Sequence, residues 1–357
     1  MIWFALAFGV LLAADAVVLQ NESLKYPKRW FSFIAAGTLT LLAGLRHETI
    51  GGRDVYLSYK RSFLEASSIS WRDALRQLTR FDNYFEAETE PGYLIFEKTV
   101  AAFSAEYQIY LMAMALAFML PLAYVIHRHS SDLFVSYVVY YVVFFSFFSL
   151  TGFRQVLATA IAVLIGHQSL ISRRPWRFGL TVAAAFAFHR SALTYFLAYP
   201  FSMPALVRRG RLLPAILMSL LPFLWVVRVG ALEFVVAPLG YEEGLDSDIG
   251  GTGTFVLLMV IVFSVSIWRW NSVAEATASS AQSLGVVSVG FVFAVLTLQS
   301  QAFMRVQQYF TLLLVLVIPD IINSFPKRER LVVRYLIVAA LATLLLRRWP
   351  EYSFFWE

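Results

Sequence analysis

The sequence contains no cysteine and comparatively little charge. With no cysteine among its 357 residues, the chain can form neither a disulfide framework nor a thiolate metal site, and thiol redox chemistry is excluded. Charged residues make up 15% of the chain, well below the roughly 25% that is usual for a soluble domain. The composition therefore argues against a soluble protein.

Apolar side chains are abundant instead. Hydrophobic residues account for 59% of the chain and aromatic residues for 16%, and the mean hydropathy is +0.67. Apolar runs of about 15 to 20 residues recur from end to end, which is close to the length that a helix needs to cross a bilayer. The first run has no basic residue before it and no small-residue cleavage pattern after it, which predicts a retained helix rather than a signal peptide. The sequence thus indicates an integral membrane protein.

These runs predict one all-α transmembrane domain over 1–357, polytopic, with about ten to twelve membrane-spanning helices. No internal repeat or soluble domain interrupts it. The predicted hydrophobic segments are 2–19, 31–45, 107–126, 133–150, 154–171, 178–188, 190–203, 212–230, 253–270, 284–300, 303–322 and 331–346.

Short basic loops predict how the chain is oriented. The loops "KYPKR" (25–29), "SRRPWR" (172–177), "RRGR" (208–211) and "KRER" (327–330) share one side of the membrane if both termini lie on the other. The positive-inside rule places the basic side in the cytoplasm, so both termini and the loop 46–106 are predicted to lie outside. This clustering explains the net charge of +6 better than nucleic-acid binding does.

Residues 178–203 allow two interpretations. A single helix there would leave "RRGR" on the wrong side, which favours a hairpin of two short helices with His189 and Arg190 at its outer turn. The alternative is one long helix with a buried histidine. The sequence alone does not separate the two.

The outer loop 46–106 is long for a simple connection and mixes acidic with basic residues. Its stretches 69–81 and 93–103 are amphipathic, which predicts helices lying on the outer membrane surface. The paired glycines of "RHETIGGRDVYLSY" (46–59) predict a tight turn that brings charged residues back over that surface. Taken alone, this stretch is better explained as an ordinary solvated turn; for a chain that proves to be an enzyme, we expect the loop to form part of a cap over the active site.

Arginines stand on the predicted outer side, where the positive-inside rule gives no reason for them. An ionisable group in a membrane segment is a functional hypothesis by default, and the planar guanidinium suits phosphate and diphosphate. Polar neighbours favour anion binding for Arg154 and Arg305. Arg228, Arg347 and Arg348 have no such neighbours, which favours snorkelling of their side chains to the headgroups. The set comprises Arg154, Arg190, Arg228, Arg305, Arg347 and Arg348.

His189 is the histidine best placed for chemistry, since it lies beside these arginines. A lone histidine in an apolar setting is more often structural, and the two interpretations are weighed evenly here. The "HRH" at 127–129 has only Asp132 nearby, so no metal site is predicted. Because the sequence has no P-loop, GxSxG or HExxH motif, nucleotide chemistry is unsupported.

The order of these motifs resembles the EpsG/Wzy family of bacterial polysaccharide polymerases. A span that ends in Arg46 is followed by "GGRDVYLSY", "EPGY", "GFRQVLATAI", "FHRSAL" and "RVQQYF", and the resemblance covers about 46–310. Arg190 departs from the family pattern, in which an aromatic or polar residue commonly follows the histidine. The residues that the resemblance marks are Arg46, Asp54, Tyr56, Glu90, Pro91, Gly92, Tyr93, Arg154, Gln155, His189, Arg305 and Tyr309.

The resemblance implies a GT-C-type glycosyltransferase of the bacterial inner membrane, acting on the periplasmic face without a cofactor or metal. The growing glycan would leave its undecaprenyl diphosphate and join a hydroxyl of a new lipid-linked repeat unit. Both lipid-linked oligosaccharides and membrane lipids are then the expected partners, and the sequence leaves open a chain-length co-polymerase. Because diphosphate is a good leaving group, neutralising its charge would carry much of the catalysis.

The same resemblance suggests individual roles. For the base that takes the acceptor proton, His189 and Asp54 compete and Glu90 is third; Asp54 stands next to Arg53, which should keep it ionised and better suited to orienting. An O-antigen ligase, another lipid-linked sugar transferase and a flippase remain alternatives. A flippase is disfavoured because the polar residues gather on one face. The residues assigned to diphosphate or sugar are Arg46, Arg53, Tyr56, Tyr93, Arg154, Gln155, Arg190, Arg305 and Tyr309.

Overall fold

The structure, a computed structural model, describes residues 2–52, 55–77, 90–203, 207, 252–297, 302–347 and 352–357. Over these ranges the chain is helical and forms no strand, so the expectation of an all-α membrane protein is confirmed there. The helices are α1 (Ile2–Leu19), α2 (Pro27–Gly44), α3 (Lys60–Ser68), α4 (Trp71–Gln77), α5 (Pro91–Phe103), α6 (Tyr107–His129), α7 (Leu133–Leu150), α8 (Phe153–Ile171), α9 (Pro175–Phe186), α10 (Ala198–Phe201), α11 (Thr252–Trp268), α12 (Trp270–Ala274), α13 (Ser280–Leu296), α14 (Ala302–Thr311), α15 (Leu314–Ser324) and α16 (Lys327–Arg347).

Four of the described helices are long and apolar enough to cross a membrane, namely α1, α6, α7 and α8. Helices α14 and α15 are bent by 50° at the break between them, and they would count as a fifth span if the pair crosses the membrane as one. The predicted segment 303–322 is therefore divided rather than continuous. The segment 212–230 lies outside the described residues, and the total of about twelve segments stays a prediction.

Close helix contacts hold the bundle together. Helix α2 packs along α6, and a Cβ on Gly44 would lie only 2.7 Å from the Met112 sulfur. Because lipid tails are as apolar as leucine, helices in a membrane associate through such close van der Waals packing and through polar contacts. The small residue at this contact is what lets the two helices approach.

The turn between α7 and α8 positions the first turn of α8. Gly152 adopts a left-handed conformation with φ of 61°, which glycine takes without the steric cost of a Cβ. Gly51 has φ of 110°, and a Cβ there would lie 2.0 Å from the Leu150 carbonyl oxygen. The paired-glycine turn of the outer loop therefore packs directly on the α7–α8 turn. This turn lies in the stretch "SLTGFRQVL", which also contains Arg154.

The structure resolves the two interpretations of residues 178–203 in favour of the hairpin. Helix α9 ends at Phe186, His189 has extended backbone, and a 3₁₀ segment runs over Arg190–Leu197. The ring of Phe178, near the start of α9, lies 5.5 Å from that of Tyr199 in α10. The chain therefore turns back on itself with His189 at the turn.

The outer-loop helices form a small packed layer. Ala66, Ala74 and Leu94 make a buried cluster between α3, α4 and α5, while Trp71 and Leu75 are exposed. Helix α4 covers Trp71–Gln77 of the predicted stretch 69–81, and that it lies on the membrane surface stays a prediction. Helix α5 differs from the predicted surface helix, because it packs against both α3 and α6 and buries polar as well as apolar residues.

Candidate functional site

Glu90 stands at the start of α5, where the sequence "EPG" fixes the chain direction. Pro91 occupies the first helical turn, a position that tolerates its missing N–H. The Gly92 N–H donates to the Ala187 carbonyl at 2.8 Å, and a Cβ on Gly92 would lie 2.7 Å from that same oxygen. Glycine therefore lets the start of α5 dock against the α9 hairpin turn, beside His189.

The Glu90 carboxylate bridges two basic side chains. The Arg154 guanidinium donates to Glu90 Oε2 at 2.8 Å, and His189 Nδ1 lies 3.0 Å from Oε1. Glu90 and His189 are largely buried, whereas the Arg154 side chain is 35% exposed. Three segments that are far apart in sequence, the α5 N-terminus, the first turn of α8 and the α9 turn, thus meet at one carboxylate.

The two hydrogen bonds define the protonation of this cluster. Burial alone would raise the pKa of the Glu90 carboxyl, but the hydrogen bond from His189 and the charge of Arg154 lower it to about 2. Burial lowers the pKa of His189, and the hydrogen bond with Glu90 only partly opposes this. At neutral pH the cluster therefore holds an ionised Glu90 and a neutral His189. With Nδ1–H donating to the carboxylate, His189 carries its basic lone pair on Nε2.

Tyr59 holds Arg154 from a second side. Its hydroxyl is hydrogen-bonded to the Arg154 guanidinium, and its ring lies 4.8 Å from that of Phe153. Tyr56, the tyrosine of this segment that the family resemblance marks, is exposed and has the Lys60 ammonium 5.3 Å from its ring centroid. The π-helical turn Val55–Tyr59 directs the two tyrosines to different sides, and nothing in "VYLSY" distinguishes them beforehand.

Gln155 connects α8 to α14. Its side-chain amide donates to the Arg305 carbonyl and, at 3.1 Å, to Gln308 Oε1. The Arg305 side chain is exposed, and its charge acts on both Tyr59 and His189. The contact of Gln155 is therefore with the backbone that carries Arg305.

Two further tyrosines of the predicted site lie in the core. Tyr309 is fully buried and its hydroxyl accepts a hydrogen bond from Ser191 at 3.2 Å. Tyr93 is buried behind Tyr59, with ring centroids 5.9 Å apart, and its hydroxyl bonds to that of Tyr110. Both side chains support the walls of the site.

Arg46 is buried and bound to backbone. Its guanidinium donates to the Ala43 and Ser149 carbonyls, the latter at 2.6 Å, and lies 5.4 Å from the Phe153 ring. Burial lowers its pKa to about 10, so it stays a cation. These contacts hold the end of α2 against the end of α7. In this structure the buried Arg46 side chain therefore connects two helices and is not exposed to a ligand.

The remaining predicted residues are placed as follows. Arg190 is half-buried at the start of the 3₁₀ segment that follows His189. Arg53 and Asp54 lie outside the described residues, as do Arg228 and Arg348. The side chain of Arg347, in the last turn of α16, is likewise outside the description.

The cluster is suited to binding an anion. Among the described residues, Glu90 contributes one negative charge to the site, and Arg154 and Arg305 contribute two permanent cations. The partly exposed guanidinium offers a planar set of donors for phosphate oxygens. Within the described ranges no group of three His, Asp or Glu side chains could hold a metal ion.

Comparison with known proteins gives one assignment. The model of the EpsG family matches residues 29–356, which is most of the chain and includes every segment of the cluster. No curated protein and no solved structure matches the chain.

Proposed function

The chain belongs to the EpsG family, and from this premise we propose that it is a polysaccharide polymerase of the membrane. Its substrates are oligosaccharide repeat units linked to undecaprenyl diphosphate. The observation that carries the proposal is the Glu90 carboxylate bonded to both Arg154 and His189. This arrangement puts a diphosphate-binding group and a proton acceptor at one point.

The proposed step is a displacement at the anomeric carbon of the donor glycan. The acceptor hydroxyl attacks that carbon, and its proton passes to His189 Nε2. The bond from the anomeric carbon to the diphosphate oxygen breaks, and the lipid diphosphate leaves with the electron pair. Glu90 holds the imidazole by Nδ1–H and stabilises the imidazolium that forms, as the carboxylate of a Ser-His-Asp triad does. Glu90 itself is not the base, since its pKa of about 2 leaves it little affinity for a proton.

Arg154 is assigned to the donor diphosphate rather than to that of the acceptor. Its guanidinium is close to the proton acceptor, because Arg154 and His189 bond to the two oxygens of the same Glu90 carboxylate. The donor diphosphate is bonded directly to the carbon under attack, so it lies equally close. The acceptor diphosphate stands at the opposite end of its repeat unit. Arg305 adds a second cation, and the departing charge is stabilised by both.

The proposal places the cluster on the periplasmic face of the bacterial inner membrane. The basic loops at 25–29, 172–177 and 327–330 lie at the start of α2, after the end of α8 and at the start of α16. These helix ends lie away from the cluster. The positive-inside rule assigns such loops to the cytoplasm. The lipid-linked repeat units would then meet the cluster from the outer leaflet.

The test is to incubate the purified protein with lipid-linked repeat units in detergent and to follow product length on a gel. We expect a ladder of repeat-spaced products from the wild-type chain and from Arg128→Ala, a change at an exposed arginine in the last turn of α6. Arg154→Ala should abolish the ladder while the protein remains folded. A single transfer to lipid A would indicate a ligase. Transport of intact substrate across vesicles without product would overturn the enzyme proposal.

A further inference from the structure

A second acid lies behind the cluster and takes no part in the step above. Glu97 follows Glu90 by seven residues on α5, two turns along the same face, and is fully buried. The Ser62 hydroxyl donates to its Oε2 at 2.8 Å, while Oε1 receives no hydrogen bond from the described residues. In that part of the chain no lysine or arginine forms an ion pair with it either.

Few charges surround Glu97 within the part of the chain that the structure describes. Helix α5 contributes the Tyr93 hydroxyl, which is bonded to Tyr110 of α6, and α3 contributes Ser62 and the more distant Glu65. Burial raises the pKa of the Glu97 carboxyl to about 7, although the hydrogen bonds with Ser62 and Tyr93 and, after them, the charge of Arg154 oppose the rise. The other ionisable groups facing this region are Tyr59 of the π-helical turn and Tyr107 of α6.

Burial raises the pKa of both Glu90 and Glu97, but their partners offset this effect to different extents. Glu90 has two basic partners and stays ionised. Among the described residues, Glu97 has only hydroxyl groups as partners, those of Ser62 and Tyr93, so a cation of the site also contributes to keeping it ionised. That cation is Arg154, which Tyr59 and Tyr93 separate from Glu97. An anion bound at Arg154 would cancel the attraction that keeps Glu97 charged.

We infer that Glu97 takes up a proton when a diphosphate binds at Arg154, so that occupation of the site is coupled to protonation behind it. The inference rests on the proposed function, since it requires an anion at Arg154. Coupling of this kind is reciprocal: the bound anion favours protonated Glu97, and protonated Glu97 favours the anion. Affinity for the diphosphate should therefore fall as pH rises and Glu97 ionises.

The probe is a short-chain prenyl-diphosphate-linked monosaccharide, because its diphosphate diester keeps a constant charge near neutral pH. We expect its Kd for the full-length protein to rise about fivefold between about pH 6 and pH 8, since Glu97 titrates in this window. In Glu97→Gln the rise should disappear and the Kd should equal the wild-type value at the acid end. The matched control is Glu65→Gln on exposed α3, which should keep the wild-type dependence.

Difference infrared spectra give a second readout. Adding the probe near pH 8 should produce a protonated-carboxyl band in the wild-type chain that is missing in Glu97→Gln. Equal pH dependence of Kd in both proteins, or the same band in both, overturns the coupling. If the probe binds as well to Arg154→Ala as to the wild type, diphosphate binding at Arg154 is wrong, and the proposed function with it. Binding that is weaker in Arg154→Ala but unaffected by Glu97→Gln at every pH would contradict only the coupling.

Discussion

The two ends of helix α7 carry ion-pair clusters of opposite composition. At one end, the α7–α8 turn leads to Arg154, where a single acid, Glu90, serves two basic side chains. At the other end, Asp132 precedes the helix, and a single base, Arg334, serves two acids, Asp132 at 2.8 Å and Asp15 at 2.9 Å. The arginine side chain is 35% exposed in the first cluster and 12% exposed in the second.

This difference separates a binding site from a structural tie. Arg334 uses its guanidinium on two carboxylates that belong to the end of α1 and the start of α7, and so it joins three helices of the bundle. Arg154 shares its only carboxylate partner in the described ranges with His189 and keeps part of its surface open. Exposure of the guanidinium, rather than the presence of an ion pair, indicates which arginine can accept a ligand.

The largest expected effect is the loss of activity on changing Arg154. Arg154→Ala should lower the polymerisation rate about a thousandfold, because removing one donor to a developing anion costs about 4 kcal/mol in the transition state. Arg154→Lys should recover little of this, since a lysine lacks the planar fork. Initial rates on lipid-linked repeat units, normalised to folded protein, measure both. A fully active lysine variant would contradict a fork-specific diphosphate contact.

Changing Arg334 should instead affect stability. Arg334→Ala leaves two largely buried carboxylates unpaired, and breaking such a pair costs about 3 kcal/mol. We expect a lower unfolding midpoint in detergent and an unchanged rate per folded molecule. In Arg334→Met combined with Asp15→Asn and Asp132→Asn no charge is left unpaired, so much of the stability should return. A rate loss in folded Arg334→Ala would remove the contrast between the clusters.

Much of the fold followed from the sequence because hydrophobic length is a strong signal. Helices α1, α7 and α8 coincide with the segments predicted at 2–19, 133–150 and 154–171. In lipid, a single apolar segment can satisfy its own backbone hydrogen bonds only as a helix. The bend between α14 and α15 was not predicted. No proline or glycine stands at the break itself, and an apolar run reads the same whether it is straight or bent.

The site was only partly predictable, for a different reason. Arg154 and His189 were singled out because a charged or titratable group is conspicuous against apolar sequence, and Glu90 was marked by the resemblance of "EPGY" to the family pattern. Their meeting at one carboxylate depends on tertiary packing that no local pattern encodes. Arg46 was conspicuous for the same reason as Arg154, yet its two terminal nitrogens donate to backbone carbonyls. Tyr59 was overlooked because tyrosine is common in this chain.

Glu90 connects the two basic groups of the site, and its removal should lower the rate about a hundredfold. Glu90→Gln takes away the negative charge that stabilises the imidazolium, and general-base catalysis is worth at least this factor. Because Glu90 raises the pKa of His189 against the effect of burial, the variant histidine should stay neutral to lower pH. The acid limb of the pH–rate profile should therefore move to lower pH. An unchanged limb would mean that His189 is not the group that titrates there.

The smallest expected effect is that of changing Tyr59. It tests whether the hydrogen bond with Tyr59 positions the partly exposed Arg154 side chain. Tyr59→Phe keeps the ring against Phe153 and removes the hydroxyl bonded to Arg154. A hydrogen bond to a charged group is worth about 1.5 kcal/mol, so kcat/KM should fall about tenfold. The matched control is Tyr56→Phe, whose exposed hydroxyl lies outside the cluster and whose loss should change nothing. In an Arg154→Lys background the Tyr59 effect should shrink, because the two changes act on one contact. Equal losses in both tyrosine variants would show that Arg154 is not held from that side.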